Sequence, residues 1–318
     1  MEKEQIPLDR IDLKDERFRI SFYFSTEKLL RSIQQIGLIH PPLVTRRDSR
    51  LILVSGWKRV LACQSIPLPS IPVRKVESSD DLETFLLAFY ENWATREFTL
   101  LEKAEILRKL ERLGEEEGRI IRNYLPLLDI PQTVYYLELY LKISRLESQT
   151  KAFIHEKKMP PPNVEWLVRF KRRERELLLP LLRPLGQNKQ KEVLEDLWHV
   201  SLREGIPAER ILKSEQVMTI LESERLSPLQ KSDRLRQVLR RRRYPQLTSW
   251  EKAFQNSLEK AGWPEEISIE HAPFFEEEEM TVRFRFRDEE EFRSCVQRLQ
   301  KVASRGEFSR LFKRPTHE

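Results

Sequence analysis

The stretch Leu51-Ile-Leu-Val-Ser-Gly-Trp-Lys-Arg-Val-Leu-Ala-Cys63 decides how the first third of this chain is read. Leu51 to Val54 is a short run of branched apolar residues, the pattern of a buried strand. Gly56 permits a tight turn, and Trp57 to Cys63 reads as the opening of a helix. A glycine turn from strand to helix leaves backbone N–H groups free at a helix N-terminus, which favours an anion. Lys58 and Arg59 place two cations beside it, so phosphate is the expected guest. The same residues also suit a plain strand–helix corner with two solvated cations.

Upstream, Ile6-Pro-Leu-Asp-Arg-Ile11 alternates as a short strand, and Asp15 to Arg19 is a charged loop. From Ser25 to Ile36, the residues Leu29, Leu30, Ile33 and Ile36 fall at helical spacing; Ser25 or Thr26 can cap the start and Gly37 stops it. Leu38 to Thr45 reads as a strand entered through the rigid Pro41-Pro42, and Arg46 to Arg50 as the hairpin loop into Leu51. Downstream, Ser70 to Val76 is a further strand. Asp80 to Asn92 is a helix with Leu82, Phe85, Leu86 and Phe89 on one face. These pieces predict a small α+β domain over residues 1–97.

The 318 residues allow two or three domains, and only 8 glycines among many Leu, Glu, Arg and Lys predict much helix. The expected class is α+β, mostly helical. No apolar run approaches the ~18 residues of a membrane span, and Met1-Glu-Lys-Glu lacks an apolar signal segment. A cytoplasmic setting without a membrane partner is expected. Cys63 and Cys295 are far apart, each within a helical pattern, so reduced thiols are expected. Net charge is +6, and residues 142–248 carry 24 basic against 14 acidic side chains while both flanks lean acidic. A local basic surplus points to a polyanion, most often nucleic acid; a solvated helical face is the alternative.

Residues 5–165 resemble the ParB-type partition proteins, whose N-terminal domain shares its fold with sulfiredoxin. Behind the first strand and helix come Gly37-Leu-Ile-His-Pro41, the turn Gly56-Trp-Lys-Arg59, the pair Glu91-Asn92 at a helix end, and Leu101-Glu-Lys-Ala104. The resemblance implies a cytidine triphosphate (CTP) site built from Arg19, His40, Pro41, Ser55, Gly56, Lys58, Arg59, Glu91 and Asn92. The turn at Gly56 would hold phosphates, and Glu91 and Asn92 would sit near Mg2+, a hard cation that takes oxygen ligands. Binding would close two N-terminal domains into a clamp around DNA.

The chain departs from the family at three places. Gly-Glu-Arg-Arg becomes Gly56-Trp-Lys-Arg59, where Lys58 loses the arginine fork. Glu-Asn-x-Gln-Arg becomes Glu91-Asn-Trp-Ala-Thr95, with Arg96 one place late. Arg17 stands for a glutamine, although Arg19 matches the arginine that follows. These are positions where hydrolysis would be arranged, so at most a weak CTPase is expected. Sulfiredoxin chemistry needs a thiolate in the phosphate turn, where this chain has Trp57 or Lys58; Cys63 reads as a core thiol.

Residues 98–168 read as a helical DNA-binding domain. Phe98 to Gly114 is amphipathic, with Leu101, Ala104, Ile106, Leu107 and Leu110 inward. Gly118 to Leu128 and Pro131 to Ser144 follow as two helices, the second with Pro131 in its first turn and Asp129 as its cap. In the family this pair is a helix-turn-helix whose second helix enters the major groove. Gln132, Thr133, Tyr135 and Tyr136 would be its exposed early residues and Lys142 its cation; Tyr136, Leu137 and Tyr140 also suit a core. Phe153 to Met159 is a helix, broken at Pro160 and followed by one capped by Asn163.

Residues 169–248 read as a basic helical extension. Lys171, Arg172 and Arg173, and later Arg240, Arg241, Arg242 and Arg243, are cations of the kind that contact phosphates without reading bases. The second cluster also suits a solvated helix terminus matched to the helix dipole. Residues 249–318 give a helix, the strands Ile267 to His271 and Met280 to Phe286, and a helix from Asp288 to Val302 with Phe292, Val296 and Leu299 inward. This order resembles the family's C-terminal dimerisation domain, and so small a sheet has a physical motive to pair with a second copy. Arg283, Arg285 and Arg287 would offset Glu276 to Glu279 on the neighbouring strand, or bind DNA.

The sequence therefore predicts a homodimeric, nucleoid-associated DNA-binding protein of chromosome or plasmid partition, with room for a partition ATPase as partner. The alternative is a diverged DNA-binding scaffold or regulator without nucleotide switching. The 5 histidines show no metal-ligand spacing, which disfavours a nuclease.

Overall fold

The computed structural model describes residues 3–271 and 279–304. The chain falls into two units, Met1–Arg183 and Pro184–Glu318. The class is α+β and mostly helical, as the sequence predicts.

The first unit opens on a mixed sheet of β1 (Lys3–Pro7), β2 (Ile11–Asp12), β3 (Leu43–Arg47), β4 (Arg50–Ser55) and β5 (Ser70–Val76), in the order β1-β5-β3-β4-β2. β3–β4 and β1–β5 run antiparallel, while β3–β5 and β2–β4 run parallel. The single strand expected at Ile6 to Ile11 is divided by a 3-10 turn at Leu8–Arg10, which sends β1 and β2 to opposite edges. β3 begins at Leu43 and not at Leu38, because Pro41 and Pro42 have no N–H to give a ladder. Arg46, Arg47 and Arg50 lie in the strands. Asp48, at φ 55°, takes the left-handed position that so tight a hairpin demands.

Against this sheet lie α1 (Glu27–Ile36), α2 (Trp57–Gln64) and α3 (Asp81–Trp93). Val44, Leu53, Val60, Cys63, Ile71 and Val73 are closed to solvent and form the core that fixes the Gly56 corner. Asp80 caps α3, its carboxylate accepting from the Leu82 N–H at 2.7 Å.

The helical remainder of the unit starts with α4 (Leu100–Arg112), opened by a capping box of Thr99 and Glu102. α5 (Glu117–Arg119), a π-turn at Ile120–Tyr124 and α6 (Leu125–Leu127) continue one another. α7 (Val134–Ser144), α8 (Ser148–Glu156), α9 (Pro161–Leu167) and α10 (Arg172–Leu182) follow. Two expected caps are corrected. Thr133 caps α7, not Asp129, which instead turns the chain at φ 53° and leaves Pro131 and Gln132 ahead of the helix. Asn163 is buried inside α9, which starts behind Pro160.

The second unit holds α11 (Gln187–Glu204), α12 (Ala208–Leu212), α13 (Glu215–Glu222), α14 (Pro228–Arg243), α15 (Pro245–Ala261), β6 (Ser268–His271), β7 (Met280–Arg283) and α16 (Glu289–Ala303). α14 packs along α11, burying Leu235 and Leu239 with Val193, Leu194 and Leu197. β7 stops at Arg283, where β6 runs out of partners. Arg283 meets Glu270 at 3.5 Å, while Glu276 to Glu278 lie outside the described residues. Phe292, expected inward, is 42% exposed, and α16 buries only Val302. A two-stranded sheet offers too little area to cover that helix. No helix among the described residues is long and apolar enough to cross a membrane.

Candidate functional site

A cavity of about 210 Å³ opens where β4 turns into α2. Gly56 sits at φ 99°, and a Cβ there would stand 2.8 Å from the Pro42 Cβ, so only glycine fits the turn. Ser55, Gly56, Trp57, Lys58, Arg59 and Asn92 all line the cavity. Arg19, His40, Pro41 and Glu91 stand one contact back. The Arg59 guanidinium donates to the carbonyls of His40 at 2.8 Å and Pro41 at 3.1 Å, and to Glu91 Oε1 at 3.1 Å. His40 and Pro41 thus meet the site through their backbone, by way of Arg59. The Arg19 guanidinium lies 4.5 Å from the Phe22 ring centroid and 4.7 Å from that of Trp57, and pairs with Glu16. Lys58 rests 5.2 Å from the Phe24 ring and has no carboxylate partner among the described residues.

Arg96, one place late in sequence, still lines the cavity, because it follows Asn92 by one helical turn. It donates to Asn92 Oδ1 at 3.1 Å, Ser21 Oγ at 2.8 Å and Glu102 Oε2 at 2.9 Å. Glu102 also accepts from the Ser21 hydroxyl and from the Thr99 N–H at 2.9 Å, so one carboxylate closes α4 and walls the cavity. Burial works against its charge, but the bonds from Arg96, Ser21 and Thr99 outweigh burial and hold it below the ordinary carboxylate range. Arg17 is turned to Asp15 and Asp81, at 2.8 Å and 2.7 Å. Motif reading missed Arg96, Ser21 and Glu102. For Arg96 the four-residue step from Asn92 was the available signal, and for Glu102 its place in the Leu101-Glu-Lys-Ala104 motif, three residues behind Thr99; Ser21 carried none.

The oxygens offered for Mg2+ differ. Glu91 Oε2 is buried and unpartnered, whereas Asn92 Oδ1 is held by Arg96. No cluster of three or more metal-ligating side chains occurs among the described residues. That unpartnered carboxylate oxygen is of the kind Mg2+ takes, a cation that commonly draws its other ligands from phosphates and water.

α4 also braces its neighbours. Lys109, 5% exposed, donates to the carbonyls of Glu16 at 2.6 Å and Arg17 at 2.8 Å, and burial pushes its pKa down to about 8. Lys103 donates to the Leu128 carbonyl and lies 3.7 Å from Asp129, tying α4 to the turn before α7.

On α7, Tyr135 is 51% exposed and its hydroxyl donates to Glu165, while Tyr136 is half-buried and Leu137 and Tyr140 are core. Gln132 and Thr133 are exposed ahead of the helix body. Lys142 pairs with Glu138 at 3.7 Å, and Arg172 with Glu176 at 2.9 Å. Lys171 is the exposed residue that opens α10, and Arg173 is exposed with no partner among the described residues. In the second unit Arg240 pairs with Glu251 at 3.2 Å. Arg242 bonds Glu204 at 3.1 Å, and Arg243 bonds Asp196 at 2.7 Å. Arg241 alone of these four has no partner among the described residues.

No family model matches the chain. It is 29% identical over 138 residues to a nucleoid occlusion protein of Shouchella clausii, covering 39% of this chain and 48% of that one. It is 25% identical over 143 residues to a probable chromosome-partitioning protein ParB of Borreliella burgdorferi, covering 41% and 55%. The chain thus spans about half the length of these curated relatives. A C-terminally truncated Caulobacter crescentus ParB, solved with CTP-gamma-S, covers 56% of this chain and 97% of its own at 17% identity, with a TM-score of 0.28, too loose a likeness to build on. In sequence the chain is thus similar to ParB-type proteins, nucleoid occlusion proteins among them.

Proposed function

We propose that this chain is a DNA-binding protein of chromosome or plasmid partition whose N-terminal cavity takes CTP with Mg2+. The Gly56 turn carries the reading: Lys58 and three arginines converge on a helix N-terminus beside open space. A phosphate tail would meet Lys58 first, because Arg19, Arg59 and Arg96 each already hold a carboxylate. Gly56 lets the backbone approach the ligand, Ser55 offers a hydroxyl, and the unpartnered Oε2 of Glu91 would hold Mg2+. The metal, when bound, would neutralise charge between the phosphates. The Thr95 hydroxyl donates to the carbonyls of Glu91 at 3.0 Å and Asn92 at 3.2 Å, so it is turned back on its own helix. That favours binding with at most weak hydrolysis.

In this reading residues 1–97 bind nucleotide and residues 98–168 hold a helix-turn-helix made by α5 to α7. Gln132, Thr133, Tyr135 and Tyr136 would face bases, with Lys171 and Arg173 near phosphates. Residues 169–248 would form a basic extension, and residues 249–318, where Phe286 and Phe292 are exposed, would pair two copies into a homodimer. Nucleotide would close the N-terminal domains into a clamp on DNA. A second reading, a DNA-binding regulator without the switch, is favoured by the existing carboxylate partners of the three arginines.

Titration of each ribonucleoside triphosphate with Mg2+, with and without duplex DNA, tests the two. The first reading expects selective CTP binding that fails in a Lys58→Ala/Arg59→Ala variant. Duplex binding with no response to CTP leaves only the second.

A further inference from the structure

We infer that the indole N–H of Trp57 is a contact of the cavity, donating to a phosphate oxygen of the bound ligand. This rests on the reading of the cavity as a triphosphate site, and it names a donor that the turn motif does not supply. Trp57 opens α2 directly behind Gly56, is 6% exposed, and forms part of the cavity wall. Its Nε1 is closed to solvent and has no hydrogen-bond partner. Two other indole nitrogens of the chain do find carbonyls, Trp93 on Leu127 at 2.8 Å and Trp263 on Ile267 at 2.6 Å. A buried donor without an acceptor is a standing destabilisation that phenylalanine would remove.

Two neighbours give the orphan a meaning. The Arg19 guanidinium lies over the Trp57 ring, which fixes the ring and keeps positive charge at its face. Glu91 Oε2 is a second buried orphan, on the carboxylate that Arg59 holds. One unsatisfied donor thus sits in the wall of the cavity, and one unsatisfied acceptor sits on the carboxylate that Arg59 holds. A phosphate bearing a divalent cation satisfies both, its oxygen accepting from the indole and its metal taking the carboxylate. Because Nε1 is closed off, seating the ligand must shift the ring or its neighbours enough to expose the N–H.

The test uses the full chain and a Trp57→Phe variant, which keeps an aromatic ring under Arg19 while losing the donor and part of the indole volume. Affinity is measured for CTP with Mg2+ and for inorganic tripolyphosphate with Mg2+. The expected result is a loss of about tenfold for both ligands, the size of one hydrogen bond to a charged acceptor. Equal affinity in parent and variant overturns the inference. A loss confined to CTP also overturns it, since the partner would then be on the nucleoside. Parent protein that binds neither ligand defeats the triphosphate reading itself, a different failure seen before any variant is made. Should Trp57→Phe not fold, the 15N–1H indole resonances of the parent decide: one moves downfield with tripolyphosphate, or none does and the inference falls.

Discussion

Replacing Glu102 with alanine tests whether one carboxylate truly serves both a helix start and a cavity wall. The substitution removes the capping box of α4, a loss of about 1 kcal/mol. It also strands Arg96, which now answers to Glu102 at 2.9 Å. Breaking a buried pair costs roughly 3–5 kcal/mol. Arg96 keeps 27% of its side chain exposed against 11% for Glu102, so the low end applies. The expected total is about 3–4 kcal/mol, a large share of the ~5–15 kcal/mol of a typical fold. Urea unfolding of the full chain at pH 7, with hydrogen exchange across α4 as the local readout, measures it. The folded carboxyl sits below its ordinary value of 4.5, so its contribution is complete above that pH and fades as pH falls through the lower folded value. The gap between parent and variant must therefore narrow on acidification. A loss under about 1 kcal/mol at pH 7, or a gap indifferent to acid, refutes the dual role.

Other outcomes follow from the same geometry. Lys109 has its pKa depressed from 10.5 to about 8, so the unfolded chain binds its proton more readily between those values, and stability from this group rises with pH across that window; Lys109→Met should lack the rise in denaturant midpoints. Lys58→Ala should weaken triphosphate binding about tenfold with little change in melting temperature, whereas Arg59→Ala should lower both, because Arg59 also clasps the His40 and Pro41 carbonyls. Arg243→Ala should destabilise the second unit by about 2–3 kcal/mol in chemical denaturation, since Asp196, whose pKa burial already raises, loses its 2.7 Å partner. Arg241→Ala should change stability by less than about 0.5 kcal/mol yet reduce the salt slope of duplex binding by about one unit.

The N-terminal corner was legible because its signals are local. Branched residues, one glycine and a helix start sit within a dozen positions, and the φ of Gly56 has no alternative occupant. Caps were harder. Asp129 and Thr133 are both good capping residues four apart, and only tertiary ties, among them Lys103 on the Leu128 carbonyl, decide which of them turns and which caps. The inward charges of α4 were illegible for a related reason. Glu102, Glu105 and Lys109 look like solvent positions, yet each is buried against partners distant in sequence or one turn away. Runs of arginine mislead in the same way: Arg242 and Arg243 read as free cations until α11 supplies Glu204 and Asp196.

The 3-10 turn at Leu8–Arg10 has a practical consequence for handling the protein. Because it delivers β1 to one border of the sheet and β2 to the other, the first dozen residues act as a hem on both sides at once. Trimming them for expression would bare β5 and β4 together, two longer strands rich in Ile, Leu and Val with open ladders. Such borders recruit neighbouring chains, so a shortened version should clump more readily than the intact one.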